Sequence, residues 1–567
     1  MYTYTFCFRK PGPVGRALYN PEGVPRGEIA APTAAARERR VGTSWINLLG
    51  LSILPAYLVV TILLGWWARR RNGGANDFLN ASRSLPLWIV VGAFLSANCG
   101  ALEIVGLSAV AAQYGAQAFH FYWIGAIPGM VFLGAIMIPL YMHTGVRSLP
   151  EYLERRFDAR VRLFNAWLLL GAGTALAGIG LYAMAQVLHV VFGWPFTGSA
   201  VLAACVVLAY VLMGGLRATI YNEVFQLLVI VVGLSSLLFL PTTHFHSAAA
   251  FQGSHAHLWL GLPAVAPHAE MDKLGVFVGL GFVLSFSYWC TDFVLVQRAL
   301  TARTPDEGRM VPLLAGFGKL GFSLLVITPA LGAAAFLGPR MPASFDQTLP
   351  ALMAASYGPV QLGLGMTALL ASLMTGLAAN ISAFAALWTE EIYRAHMRPG
   401  APEAHYIRMG RTASVVATVL SIATSYFAFH FRDLMEYVQM IFSLFSAPFF
   451  AVFLLGMFTR RATARGALAG LACGASLAIA HHGLVAAGLV HYGSFMTANF
   501  YVAIYAFAAS LAAGLLFSRG GEYKSEAQLE RLVWRPGVLR YAAPRWRWWM
   551  LVGLLLALCV ALNVLWR

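Results

Sequence analysis

The recurrence of long apolar stretches limits the fold of this chain more than any other feature of its sequence. Ile46–Trp67, Val276–Leu300 and Met550–Trp566 each hold roughly 17 to 25 mostly apolar residues, enough to cross ~30 Å of hydrocarbon as a helix. Spans of this kind are expected near 45–67, 86–112, 117–142, 162–190, 195–214, 219–241, 275–300, 311–338, 350–394, 411–430, 434–458, 464–490, 496–518 and 547–566, about fourteen in all. The stretch 350–394 exceeds one straight crossing, so it is expected to open as a short outer loop or helix and to close in a cytoplasmic extension. Inside a bilayer every backbone N–H and C=O has to be paired within the protein, which leaves an all-α polytopic bundle as the fold class.

Composition agrees. Hydrophobic residues make up 59% of the 567, charged residues 11%, and the mean hydropathy is +0.69, values that a water-facing surface does not tolerate. The partner of this surface is therefore the lipid bilayer. A net charge of +16 does not indicate nucleic acid, because the basic residues sit in short connections between apolar spans. Of six cysteines, five lie in apolar runs and Cys7 stands alone, so no disulfide framework is implied.

Loop basicity sets an orientation, since cytoplasmic connections keep an excess of Lys and Arg. Arg69-Arg70-Arg71, Arg155-Arg156 with Arg160 and Arg162, Arg298 to Arg309, Arg394 to Arg411, Arg460-Arg461 and Arg519 to Arg547 fall on one side. The opposite loops, Thr242 to Asp272 above all, are nearly free of them. With an even number of spans both termini are extracytoplasmic, as expected for a multi-pass protein of a bacterial-type inner (plasma) membrane. Residues 1–44 read as a disordered, Pro- and Ala-rich leader; they lack the continuous apolar core of a secretory signal, although Arg37, Arg39 and Arg40 by themselves favour the cytoplasm.

Several segments carry more specific information. Asp77-Phe78-Leu79 and Ser82-Arg83-Ser84-Leu85 follow the first span, and Ser96-Ala97-Asn98-Cys99-Gly100 lies in the second. Then come Gly145-Val146-Arg147-Ser148-Leu149-Pro150-Glu151-Tyr152-Leu153, Gly214-Gly215-Leu216-Arg217-Ala218-Thr219-Ile220-Tyr221, and Tyr288-Trp289-Cys290-Thr291-Asp292-Phe293-Val294-Leu295-Val296-Gln297-Arg298. In this order the series resembles the sodium:solute symporter family over most of the chain, and its last segment is similar to the sodium/glucose cotransporter form. The resemblance implies a LeuT-type core of five helices and five inverted counterparts around a midplane site. Residues 86–458 would form it, after a leading helix at 45–67 and before three additional C-terminal helices within 459–567. Gly92, Gly100 and Gly106 punctuate the second span, which eases a break there.

The resemblance also implies residue roles. A Na+ site would take backbone carbonyls from Ser96, Cys99 and Ser372 and hydroxyls from the positions of Thr375 and Gly376, the last of which has none. Spacings of i, i+3 and i+4 put Ser372, Thr375 and Gly376 on one helical face, and a hard cation needs several oxygens. Ala97, Ala378 and Ala379 stand where a second sodium site would need side-chain oxygens, so one cation per solute is expected. The positions matching sugar contacts are Asn98, Glu103, Tyr288, Trp289, Lys319 and Gln439, whose donors and acceptors suit a small polyhydroxylated solute. Tyr288 would stack on the ring and close the inner exit. Glu103 departs from the family's usual neutral amide or histidine. Its alternatives are pairing with Lys319, accepting from a sugar, carrying a proton, or selecting a cationic solute.

Asp292 and Glu223 are expected to be paired structurally, Asp292 having Tyr288 four residues before it. Arg217 is expected to serve topology, and His244, His246, His255, His257 and His268 to be solvated loop rather than a zinc site. Nothing resembles a catalytic triad or a phosphate loop, so no enzyme is expected. The rival readings are a proton-coupled or cation-independent carrier and a transporter-like sensor. The connection Arg519 to Trp546 falls far short of the ~50 residues of a small folded module, so a sensor would need a separate partner.

Overall fold

In the computed structural model, residues 44–70, 78–79, 85–100, 102–146, 148–239, 257–259, 271–338, 341–342, 344–431, 434–521, 523–535 and 546–565 are described. Residues 1–43 of the leader, four of the five loop histidines, and Asp77, Ser82-Arg83-Ser84 and Arg147 of the motifs lie outside them.

Apolar sequence becomes helix because the helix alone closes its own hydrogen bonds. Among the described residues, eleven helices are long and apolar enough to cross a membrane, and a twelfth is counted if the bent pair Gly275–Thr291 and Phe293–Ala299 is one span. Two of the eleven, Leu102–Thr144 with 43 residues and Phe196–Phe239 with 44, would reach about 65 Å if straight, twice a hydrocarbon core. Each turns on a glycine of positive φ, Gly115 at 66° and Gly215 at 57°. A Cβ at Gly215 would also sit 2.3 Å from the Phe78 carbonyl oxygen, so glycine alone fits that turn.

The helices that place the site are α1 (Ser44–Arg69), α2 (Leu87–Asn98) and α3 (Leu107–Tyr114), the last two joined through a π turn at Leu102–Gly106. After them come α4 (Leu149–Arg156), α5 (Ala159–Phe192) and α6 (Phe196–Ser235). The second half brings α7 (Ser285–Thr291), entered from the π segment Gly275–Leu284, then α8 (Phe293–Ala299) and α9 (Pro305–Leu331). Next are α10 (Thr348–Ser356), α11 (Pro359–Ala386) running into a π segment Leu387–Met397, α12 (Glu403–Ser425), α13 (Leu434–Ile441) and α14 (Ala447–Phe458). Three helices follow: α15 (Ala464–Ala486), α16 (Phe495–Phe517) and α17 (Trp546–Leu565). The long stretch 350–394 thus splits as expected into α10, a turn and α11.

On the basic side, α4 is fastened to the end of α14. Arg156, 1% exposed, donates from all three nitrogens to the carbonyls of Gly456 (2.7 Å), Ala462 (3.1 Å) and Thr459 (2.5 Å). Tyr152 Oη donates to the Leu532 carbonyl at 2.8 Å, and Trp534 N to that of Met457 at 2.7 Å.

Candidate functional site

Two helix breaks, one in each half of the chain, define the centre. The first ends α2. Cys99 leaves the helical region at φ −78°, ψ 43°, its N–H reaching the carbonyls of Ser96 (2.8 Å) and Leu95 (3.1 Å). The chain resumes when the Gly100 carbonyl accepts from Glu103 N (3.1 Å) and Ile104 N (3.2 Å). This break abuts α11: a Cβ on Gly100 would lie 3.3 Å from the Gly376 Cα and 3.8 Å from the Ser372 carbonyl oxygen. The two backbones touch here, and Gly100 is the tighter side of the contact.

Around this contact Ser96, Cys99, Ser372 and Thr375 are buried. The hydroxyls of Ser96 and Ser372 have no hydrogen-bond partner in the protein. Thr375 Oγ1 is engaged, lying 2.5 Å from Gln226 Oε1 and 2.9 Å from the Ala371 carbonyl; Gln226 Nε2 in turn donates to Tyr57 Oη at 2.9 Å. Asn380 Nδ2 donates to the Gly376 carbonyl at 2.9 Å.

The second break lies between α7 and α8, which are bent by 57°. Asp292 is extended there (φ −68°, ψ 123°), and its Oδ1 accepts from Leu295 N at 3.0 Å, making it the N-cap of α8. The side-chain contact with Tyr288 that helical spacing suggests gives way to this cap, because the helix does not continue. Glu223 does take a structural partner: Arg298 Nη2 donates to its Oε1 at 2.7 Å, with both side chains 0% exposed. Arg298 is further held by the Val294 carbonyl and by Gln297 Oε1, each at 3.2 Å.

Between the breaks lies a cavity of about 80 Å3, and all six residues matched to sugar contacts line it: Asn98, Glu103, Tyr288, Trp289, Lys319 and Gln439. Asn98 Nδ2 donates to Tyr288 Oη at 2.5 Å. The Tyr288 ring packs between Trp289 and Phe442, at centroid distances of 5.2 and 5.1 Å. Glu103 forms an ion pair with Lys319, whose ammonium also lies 5.0 Å from the Tyr122 ring and 5.5 Å from that of Trp289. Asn98 Oδ1, Gln439 Oε1 and Ser285 Oγ are buried without a protein partner.

Sequence reasoning missed Ser285, Tyr122 and Gln226. Ser285 sits three and four residues before Tyr288 and Trp289, a spacing that could have found it. An intramembrane glutamine such as Gln226 is itself a signal. Tyr122 carries none. Among the described residues no group of three or more His, Cys, Asp or Glu side chains is placed to hold a metal.

A family model, Sodium:solute symporter family, matches residues 78–474. The sodium/glucose cotransporter of Vibrio parahaemolyticus is 27% identical over 466 residues, covering 76% of this chain and 84% of that one. Sodium/glucose cotransporter 1 of Sus scrofa is 26% identical over 480 residues, covering 76% and 72%. Among solved structures, a substrate-bound, outward-open Na+-coupled sialic acid symporter superposes with a TM-score of 0.69 at 17% identity, over 84% of this chain and 99% of its own. The fold is thus the LeuT type, and its two broken helices fall at corresponding places in the two halves. With more than two thirds of its length under one model, the chain belongs to the sodium:solute symporter family, Na+-coupled membrane carriers of small solutes rather than enzymes.

Proposed function

We propose that this protein is a symporter of Na+ with a sugar or similar polyhydroxylated solute, working by alternating access. One observation carries the reading: six polar and aromatic side chains from α2 and the π turn after it, α7, α9 and α13 meet at a single cavity, where Asn98 Oδ1 and Gln439 Oε1 lack partners that a solute hydroxyl would supply. The sugar-cotransporter names of its relatives point the same way. At about 80 Å3 the cavity is below the ~300–1,000 Å3 of ordinary ligand pockets, so its walls part on entry, and the Asn98–Tyr288 bond is the contact that yields on the inner side.

The cation lies at the first break, on the carbonyls of Ser96, Cys99 and Ser372 and the Thr375 hydroxyl. The unpartnered hydroxyls of Ser96 and Ser372 stand in for the one Gly376 lacks. One Na+ moves per solute. The chain crosses a bacterial-type inner membrane fourteen times with both termini outside: a leading helix at 45–67, a core at 86–458 and three further helices within 459–567.

Uptake by proteoliposomes tests this. Sugar accumulation is expected to follow an imposed Na+ gradient; indifference to it sinks the coupling, and failure of every sugar sinks the solute class. Gly376→Ser should lower the half-saturating Na+ concentration severalfold, because a Cβ there meets only the Gly100 Cα, at 3.4 Å.

A further inference from the structure

A second opening shares no residue with the solute cavity. It is an apolar groove of about 660 Å3 between α5, α11 with its π extension, and α12, lined by Trp167, Gly171 and Thr174 on the first, Trp388 on the second, and Thr412 and Val416 on the third. Trp167 is 52% and Val416 45% exposed, so in a membrane this face meets lipid. The groove is closed midway along α5, where Thr424 Oγ1 donates to the Thr174 carbonyl at 3.2 Å. Its other end is marked by the edge-to-face pair of Trp167 and Trp388, centroids 5.8 Å apart, a residue type that collects at headgroup level.

Just beyond these tryptophans the charges divide into two groups. Arg162 is bound to Glu391 at 2.8 Å and to Glu154, and Arg394 to Glu390 at 3.3 Å, so their charge is answered within the protein. Arg160 and Arg408 are exposed and enter no ion pair among the described residues. Helical spacing puts Arg160 two turns before Trp167 on the groove side of α5, and Arg408 one turn before Thr412 on that of α12. An occupant that satisfies both ends is long and apolar at one and anionic at the other.

We propose that the groove binds an anionic phospholipid of the leaflet beside the basic loops, with one acyl chain along the groove and its phosphate between Arg160 and Arg408. Gly171 leaves the room: a Cβ there meets nothing within 4 Å, although glycine is a poor helix residue. The seated lipid braces α11, which carries Ser372, Thr375 and Gly376, against α5 and α12.

Native mass spectrometry of the full chain, released from nanodiscs of equal phosphatidylglycerol and phosphatidylcholine, tests this. The expected result is one retained phosphatidylglycerol, with a preference that falls roughly tenfold or more in Arg160→Ala/Arg408→Ala. Gly171→Leu, which grows into the groove, should cut retention of either lipid without changing thermal unfolding. In vesicles, brominated phosphatidylglycerol should quench tryptophan fluorescence more than brominated phosphatidylcholine, and the difference should vanish in Trp167→Phe/Trp388→Phe. Equal retention of the two lipids by the unmodified protein overturns the proposal, as does a preference unchanged in the double arginine variant or equal quenching by the two brominated lipids.

Discussion

Each broken span carries a charged side chain a short way past its break, and the two are treated differently. In the first, Glu103 pairs with Lys319 at the edge of the cavity, the side chains 9% and 2% exposed. In the second, Arg298 pairs with Glu223, both 0% exposed and away from the cavity lining. The same chemistry therefore does two jobs. A pair open to the cavity can exchange partners with solute, whereas a sealed one can only hold helices together, because separating buried charges without water costs several kcal/mol.

The largest effect should come from breaking the sealed pair. Arg298→Met strands Glu223 and is expected to cost about 3–5 kcal/mol, read as a fall in thermal midpoint and in folded yield, with the KM of the surviving protein unchanged. Lys319→Met should lose less stability, since Glu103 lines the cavity, but should raise the solute KM at least tenfold. If the two variants shift KM alike, the contrast fails. Gly100→Ala sharpens it at the cation: the added methyl, 3.3 Å from the Gly376 Cα, should push α2 and α11 apart and raise the half-saturating Na+ severalfold, leaving solute KM at saturating Na+ in place. Smallest is Asp292→Ala, a lost helix cap of about 1 kcal/mol that Asp292→Asn should largely restore, measured by chemical unfolding.

The apolar spans and the break in the second were legible in the sequence because hydrocarbon thickness and glycine act locally. Gly100, with Gly92 and Gly106, eased a break in the second span by the absence of a side chain; the turn at Gly215 was not read. Asn98, Tyr288 and Trp289 were legible through motifs and Glu103 lies close behind one, all beside the two breaks, whereas Lys319 and Gln439, on α9 and α13, were reached only through the family resemblance. What lay hidden depends on neighbours distant in sequence. Thr375 and Gln226 meet only because α6 packs on α11, and Tyr122 faces Lys319 only through the folding of Leu102–Thr144. Asp292 was misread for a different reason: i+4 spacing presumes an unbroken helix, and this carboxylate sits where the helix stops.

The grip of Arg156 on three carbonyls at the foot of α14 makes α4 and that helix a single lever. A tilt of the arm that begins with Gln439 on α13 cannot be absorbed at its base; it is passed to α4 and, through Tyr152, to the strap at Leu532. A tilt of α14 is thereby passed to the basic side of the protein.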